Sequence, residues 1–374
     1  MQQHTVVAND LADGPQDKRL QWIQVAARVF PELETVSKAK RARKAGNLLL
    51  NGQPLVATLT CAAVNDVLVY LNSEKRTQWA ITDNAEDLEA QLLWLQTCKT
   101  QGLRQVYECG SLAVVVKPVG IHVKGRGKRT VERALPLLLQ GQQSIEAGDR
   151  MLPLPHAVHR LDYRVGGLLL VAKTRKMEVE LSAQFERHSV TKQYRAILVG
   201  DVRETFQALN EKNCTVIDSI ELPNALQSIC HELQILDDPI DGRTCLTAVR
   251  VVSTTRSARY DWISTVDLWP LTGRKHQLRV HTARHGHPIV GDDLYHNTSN
   301  IVCQHGSGNK PAVVRGMGLF LFSVGVAFND LYANRRSFSI GEPHKFARFR
   351  HFCNLNWSKL AARQTQDANK QATA

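Results

Sequence analysis

Hydrophobic positions along this chain fall into short apolar runs separated by amphipathic stretches. Leu112–Val116 and Gly166–Ala172 are nearly continuous apolar runs, the pattern of buried strands. Tyr194–Val199 and Trp262–Leu268 alternate between apolar and polar residues, which predicts half-buried strands. Helical spacing lies between them. Thr130 opens a segment running through Leu139, and Thr174 is placed to cap a helix carrying Met177, Leu181 and Phe185 at fourfold spacing. Further upstream, Asp83 is placed to cap a helix that would dock through Leu88, Leu92 and Leu95. Residues 201–240 carry no clear periodicity and read as an insertion. Strand and helix patterns therefore interleave over 104–352 as one α+β domain, with no internal repeat.

The preceding segments read differently. Residues 1–17 form a polar tail, 18–72 a small compact unit and 73–103 a connector, while 353–374 form a polar tail at the other end. In the compact unit, Ser37 is placed to cap a helix rich in cations: Lys38, Lys40, Arg41, Arg43 and Lys44. Gly46 stands where a helix stops, and Asn51-Gly52 suits a tight hairpin between Leu48–Leu50 and Pro54-Leu55-Val56. A rigid cationic ridge of this kind can follow a phosphate backbone. The words S-K-A-K-R-A-R-K-A-G-N-L-L-L-N-G resemble the small RNA-binding domain named after ribosomal protein S four.

Charge and composition sharpen this picture. The formal net charge of +12 points to a polyanionic partner, and 43% hydrophobic residues are enough for a real core. No apolar run reaches the about 18 residues that a membrane-spanning helix needs. The first residues lack a basic start and an apolar stretch, so no secretory signal is expected, and the acidic residues there disfavour a transit peptide. Eight cysteines are scattered without a C-x-x-C pair, a pattern that fits free thiols in a reducing, intracellular and most simply cytoplasmic setting.

Three blocks carry candidate chemistry. In the first, His159-Arg160-Leu161-Asp162 precedes Gly166-Gly167 and an apolar run, so Asp162 would sit on a turn at a sheet edge, exposed but anchored. Taken alone, a salt-bridged turn aspartate is the better explanation. The second block, Lys192-Gln193-Tyr194, offers an aromatic face at a strand start, where an ordinary core tyrosine is the simple alternative. In the third, a Thr272-Gly273-Arg274 turn launches a helix with Lys275, His276, Arg279 and His281, which Gly286 ends. Its cationic side chains could contact phosphates or hold a carboxylate.

Together with Lys117-Pro118 and Gly120, these blocks resemble the RluA-type RNA pseudouridine synthases. The words K-P-x-G, H-R-L-D-x-x-x-x-G-L-L-L-V-A-K, K-x-Y and T-G-R-K-H-Q-L-R-V-H, followed by G-H-P-I-V-G-D, occur in the family's order. The resemblance implies a mixed, mostly antiparallel sheet with flanking helices and a central basic cleft. It implies Asp162 as catalytic carboxylate, Arg279 as the guanidinium beside it, and Tyr194 as the ring that stacks on an extruded uracil. Arg160, Lys117, Arg274 and His276 join the basic helix as expected RNA contacts. The implied partner is transfer, ribosomal or messenger RNA, and the implied state a monomer. No metal or other cofactor is implied, because bonds are exchanged within one nucleotide. A catalytically silent RNA-binding paralogue is the alternative.

Two departures from the family pattern matter. Tyr163-Arg164-Val165 replaces a string such as Arg-Asp-Thr-Ser after the aspartate, and Leu321-Phe322-Ser323 stands for Leu-His-Ala. Other motif readings fail on spacing. Arg160 and Asp162 are one residue too far apart for a kinase catalytic loop, and Gly125–Arg129 lacks the Walker pattern. His281 and His285 have no glutamate between them for a zinc site.

Overall fold

The computed structural model describes residues 2–11, 20–44, 48–51, 53–54, 57, 59–70, 85–125, 127, 129–140, 149–206, 222–295 and 317–372. It divides into two compact units, Met1–Gln78 and Trp79–Ala374.

In the amino-terminal unit, four strands, β1 (Gln2–Thr5), β2 (Leu48–Leu50), β3 (Gln53–Pro54) and β4 (Val67–Tyr70), form a sheet in the order β1-β4-β2-β3. Helices α1 (Trp22–Val29) and α2 (Val36–Lys44) cover it. Trp22, Ile23, Phe30, Ala39, Leu48 and Leu68 make the core, and the Trp22 indole donates to the Ala57 carbonyl at 2.9 Å. Two expectations are corrected here. Residues 2–5 are no tail: they pair along β4, which supplies their backbone partners. The side chain that caps α2 is Thr35, whose hydroxyl accepts from the Lys38 N–H at 3.2 Å; Ser37 already lies inside the helix. Gly46 and Gly52 lie outside the described residues.

The second unit opens with helix α3 (Ala85–Thr100) and strands β5 (Arg104–Glu108) and β6 (Leu112–Lys117). Helix α4 (Val131–Leu138), β7 (Met151–Ala157), β8 (Gly166–Thr174), α5 (Arg175–Glu186) and β9 (Thr191–Val199) follow. Then come a single turn, α6 (Asn224–Gln227), and strands β10 (Gln234–Leu236), β11 (Thr247–Ser257) and β12 (Asp261–Pro270). Helix α7 (Gln277–Arg284), β13 (Leu321–Asn329), β14 (Arg335–Ser339) and the long helix α8 (His344–Ala372) complete the unit. The strands join in one sheet of order β10-β11-β12-β9-β13-β8-β6-β5, with β14 on β13 and β7 on β8. Every pairing is antiparallel except β13 with β8. The architecture is thus α+β with a mostly antiparallel sheet and flanking helices.

The apolar runs of β6 and β8 are buried on both sides. Ala113, Val115, Leu169 and Val171 face the core shared with α3, α4, α7 and α8, whereas Leu112, Val114, Leu168 and Leu170 face α5. Each such side chain contributes about 1.5–3 kcal/mol by leaving water. β12 is likewise buried at consecutive positions, because it lies inside the sheet between β11 and β9; the expected half-burial does not occur. In α3 the docking face is Trp94, Leu95 and Cys98, with Trp94 donating to the Thr130 carbonyl, while Leu92 is exposed. Asp83 and residues 207–221 lie outside the described residues, but β10, from the expected insertion, extends the sheet at one edge. Residues 353–372 continue α8, with Cys353 buried and Trp357 over Arg256, so they are no tail.

One row of the sheet positions the chemistry. Lys117 of β6 pairs with Gly167 of β8, which pairs with Ser323 of β13, which pairs with Tyr194 of β9. Directly paired residues share a face. Gly167 has φ +118°, and a Cβ there would stand 2.1 Å from the Ser323 carbonyl oxygen, a backbone atom that cannot move aside. Gly167→Ala is therefore expected to destabilise the second unit by more than about 3 kcal/mol. Urea unfolding checks this, and a loss under about 1 kcal/mol would mean that β8 and β13 are not held so closely.

Candidate active site

Asp162 stands on a four-residue turn that ends where β8 begins, closed by the Val165 N–H donating to the Asp162 carbonyl at 3.0 Å. Its side chain is 27% exposed, so a ligand can reach it. The rest of its motif anchors that turn. Leu161 is buried, and the His159 ring, stacked on Phe185, accepts from the Leu170 N–H at 3.0 Å. Burial pulls the His159 pKa down to about 3, so this imidazole is neutral and serves as an acceptor. Arg160 is exposed beside the turn, available to an incoming polyanion.

The lost Thr-Ser pair of the turn is replaced by other ties. The Gly120 N–H donates to the Tyr163 carbonyl at 2.8 Å, and the Tyr163 ring lies 4.7 Å from that of His122. Arg164 forms an ion pair with Asp293. Beneath the turn, the Lys117 ammonium donates to the carbonyls of Val165 at 2.7 Å, Pro118 at 2.9 Å and, more weakly, Tyr163 at 3.5 Å. Lys117 is fully buried, which corrects its expected role as an RNA contact: it is spent holding the turn from below. Burial pulls its pKa down to about 7, against the opposing pull of the Asp162 charge.

Tyr194 lies half-buried on β9, packed against the main core, with the Ser323 hydroxyl bonded to its phenol. Burial first, and the Asp162 charge second, push the phenol pKa above its usual value. Ser323, at a departure from the family pattern, thus keeps a polar group behind the ring. Phe322 packs against Gly166, where a Cβ would meet it at 2.7 Å.

The third block converges on the same place. Its turn is built around Gln277, whose side-chain oxygen accepts from the Thr272 hydroxyl and the Arg274 N–H at 3.0 Å each. His276 takes a left-handed conformation, φ +56°, as the residue before α7. This aims its ring inward: Nε2 is 3.6 Å from an Asp162 oxygen and Nδ1 is 2.9 Å from the Tyr295 hydroxyl. Its side chain is 17% exposed. His276 was an expected RNA contact; here it neighbours the carboxylate itself. Burial lowers its pKa, with the Asp162 charge opposing. Arg274 is partly exposed and donates to the Thr244 carbonyl at 3.3 Å.

Arg279 differs from expectation in its partner. Its guanidinium forks onto Asp292, Nε to Oδ2 at 2.6 Å and an Nη to Oδ1 at 2.7 Å, and reaches Asp293 at 3.5 Å. Among the described residues the ion pair to Asp162 within 4 Å comes from His276, not Arg279. Arg279 acts on Asp162 through its field, with its guanidinium 5.1 Å from the Tyr295 ring centre. Burial alone would lower its pKa, but Asp292, Asp162 and Asp293 outweigh burial and raise it. Asp292 also accepts from the Leu294 and Tyr295 N–H groups, which fixes the clamp. The G-D motif was read from the sequence, but Asp292, Asp293 and Tyr295 were not assigned roles; their closeness to Arg279 is visible only in three dimensions. The cations of α2 belong to the other unit and are described there.

Residues 111–284 match the family described as RNA pseudouridylate synthase. The chain is 40% identical over 139 residues to the dual-specificity RNA pseudouridine synthase RluA of Vibrio cholerae, covering 37% of this chain and 49% of that protein. It is 33% identical over 190 residues to the ribosomal large subunit pseudouridine synthase C of Vibrio vulnificus, covering 51% and 52%. The chain thus spans about half the length of these curated relatives. Among solved structures, human RNA pseudouridylate synthase domain containing 4 aligns at 20% identity with a TM-score of 0.47, over 70% of this chain and 97% of that one.

Lys117→Met gives a direct check on the site. RNA affinity is expected to stay within twofold, because the ammonium touches no solvent; a tenfold loss would restore Lys117 as an RNA contact. Stability should also respond to pH. Between pH 7 and the range of a free lysine the unfolded chain takes up a proton that the folded chain does not. The native protein therefore gains on the variant as pH rises, by about 1.4 kcal/mol per unit. Urea unfolding at pH 7 and pH 9 measures this. The segment from Ser111 to Arg284, which carries the aspartate, tyrosine and arginine, is thus similar to the RNA pseudouridylate synthase family and to the RluA-type relatives.

Proposed function

We propose that the chain is an RNA pseudouridine synthase, which isomerises uridine in folded RNA with Asp162 as its catalytic carboxylate. The observation that carries this reading is a reachable Asp162 beside Tyr194, His276 and the buried Arg279. A uridine inside a stack hides its glycosidic bond, so the nucleotide must be extruded first. The Asp162 carboxylate then acts on the ribose, by adding at the anomeric carbon or by removing a sugar proton to give a glycal. Either way the bond to N1 breaks, uracil rotates, and its C5 joins the anomeric carbon. In the glycal route the protonated Asp162 returns its proton to the sugar as that bond forms. C5 then loses its proton and N1 gains one, so the product is an isomer of the starting nucleotide.

The surrounding groups have distinct tasks. Arg279 sets a fixed positive charge near the carboxylate, and His276 offers it a ring nitrogen at 3.6 Å. Tyr194 supplies a ring face for the uracil. With its phenol held protonated by burial and by Asp162, stacking is a better role for it than acting as a base. Arg160, exposed at the turn, would order the strand left behind.

RNA as the substrate class is supported by the names of the relatives, two of which act on RNA by title, and by the net charge of +12. The amino-terminal unit would act as the small RNA-binding domain. Its Lys40, Arg41 and Lys44 are exposed along α2, with Lys38 and Arg43 half-buried beside them. Lys38 is paired with Glu34, which leaves the outer three as the ridge.

Asp162→Asn is expected to fold, to bind RNA within threefold of the native protein, and to make no pseudouridine. Carbodiimide adducts mapped by primer extension on incubated ribosomal and transfer RNA transcripts read this out. Pseudouridine made by the variant would remove the mechanism. In a separate test, reversing Lys40, Arg41 and Lys44 to glutamate should weaken RNA binding at least tenfold and flatten its salt dependence. Binding that keeps its salt slope would assign the ridge elsewhere.

A further inference from the structure

A second concavity shares Tyr295 with the site above, and its other residues have no part in the chemistry described there. On the outer side of α7, Val280, Ala283 and Arg284 stand at helical i, i+3, i+4 spacing and form one wall. Lys275, just before the helix, also lines it. The rest of the lining is Ile240 and Asp241, in a tight turn with Asp241 at φ +51° and Gly242 at φ +70°, together with Leu294 and Tyr295. The groove encloses about 450 Å³, within the range of roughly 300–1,000 Å³ typical of small-ligand sites.

Its chemistry suits a nucleotide. Ile240, Val280 and Ala283 offer an apolar floor, and Leu294 is left 59% exposed above it. Every nucleobase has a face that such a floor can take. Lys275 is exposed and, among the described residues, has no ion-pair partner within 4 Å. Arg284 is anchored through one N–H to the Pro239 carbonyl at 2.6 Å, so its guanidinium is held in place with donors to spare. Two cations at the rim of an apolar slot match a phosphate joined to a base. Asp241 adds an acceptor for a base N–H and repels a bare phosphate from that end.

The groove also reports to the carboxylate. Tyr295 forms part of its wall, and the Tyr295 hydroxyl meets His276, whose other nitrogen faces Asp162. We propose that this groove is a second nucleotide subsite, which takes a ribonucleotide flanking the target uridine in the same strand, and whose occupancy sets the His276–Asp162 contact through Tyr295. The proposal rests on the pseudouridine synthase reading. It commits to a strand neighbour over a free mononucleotide because the groove adjoins the target site through one shared tyrosine.

The test uses the full chain and an RNA transcript in which the native protein makes pseudouridine. Val280→Trp fills the slot with a ring, and Lys275→Ala removes an exposed cation with little risk to folding. Both are expected to slow modification, Val280→Trp by at least tenfold and Lys275→Ala by about threefold. Removing the base next to the target uridine, on one side, should slow the native protein at least tenfold but leave Val280→Trp no slower than on intact RNA. Rates of both variants equal to native, or losses that multiply, would overturn the subsite while leaving the synthase reading intact. A silent native protein would instead sink that reading, and the groove is then judged by crosslinking. RNA carrying 4-thiouridine should crosslink to peptides holding Val280 or Tyr295, and Val280→Trp should abolish this; crosslinks confined to other peptides would overturn the subsite. Protection of those peptides by micromolar uridine or adenosine monophosphate would reassign it to a free nucleotide.

Discussion

The site depends on how closely β13 approaches β8. These two strands run parallel, and they meet at the two glycines that follow the Asp162 turn. Parallel neighbours cannot be joined by a hairpin, so β13 returns from far along the chain to insert between β8 and β9. That insertion sets the spacing between Asp162, at the head of β8, and Tyr194, on β9. A side chain at Gly167 would drive Ser323 away, and Ser323 is the group that holds the tyrosine hydroxyl. One missing Cβ thus fixes both the distance between the carboxylate and the ring and the orientation of the ring.

A second constraint is electrostatic. Four charged groups, Lys117, Arg279, Asp292 and His276 when protonated, lie around Asp162, yet only His276 is positioned to touch it. Lys117 faces backbone carbonyls and Arg279 faces Asp292. Breaking either partner of a buried pair such as Arg279 and Asp292 costs about 3–5 kcal/mol, so these cations do not swing toward Asp162. Their fields act on the carboxylate without occupying its oxygens. A carboxylate that must form or break a bond benefits from this arrangement, because a bidentate clamp would have to be undone before each reaction. Asp293 adds a cross-link, reaching both Arg164 on the turn and Arg279 on α7. The turn lost the usual hydroxyl pair, and this acid-mediated tie stands in its place.

How much of this was legible in the sequence follows from what sequence patterns encode. The grouping of Asp162, Tyr194 and Arg279 was legible because short motifs keep residue type and order, and the apolar runs of β6 and β8 were found because burial on both faces leaves no polar break. Lys117 was misread because a lysine ending a strand looks the same whether it meets solvent or three carbonyls. Arg279 was assigned the wrong immediate partner for a related reason: Asp162 and Asp292 are both acids within reach of the motif, and only the fold ranks them. The termini were misread through composition. Polar residues suggest a tail, but the β1 backbone finds its partners in β4, and α8 docks through Phe346, Phe349, Cys353 and Trp357. Tyr295 carried no signal beyond following the G-D pair by three residues.

The position of His276 connects these observations. A left-handed residue immediately before a helix is costly for any side chain with a Cβ, on the order of 1 kcal/mol, and is kept where something else requires it. Here it turns the imidazole away from solvent and inserts it between the Tyr295 phenol and the Asp162 carboxylate. A histidine in the ordinary extended cap conformation would point outward, toward phosphates, as the sequence reading had it. Burial lowers its pKa while Asp162 raises it, so its protonation answers to anything that changes solvent access on the Tyr295 side. A base seated against Tyr295 would do so. The strained backbone at His276 is therefore best understood as the means by which the wall of one groove is held in hydrogen-bond contact with the chemistry of the next.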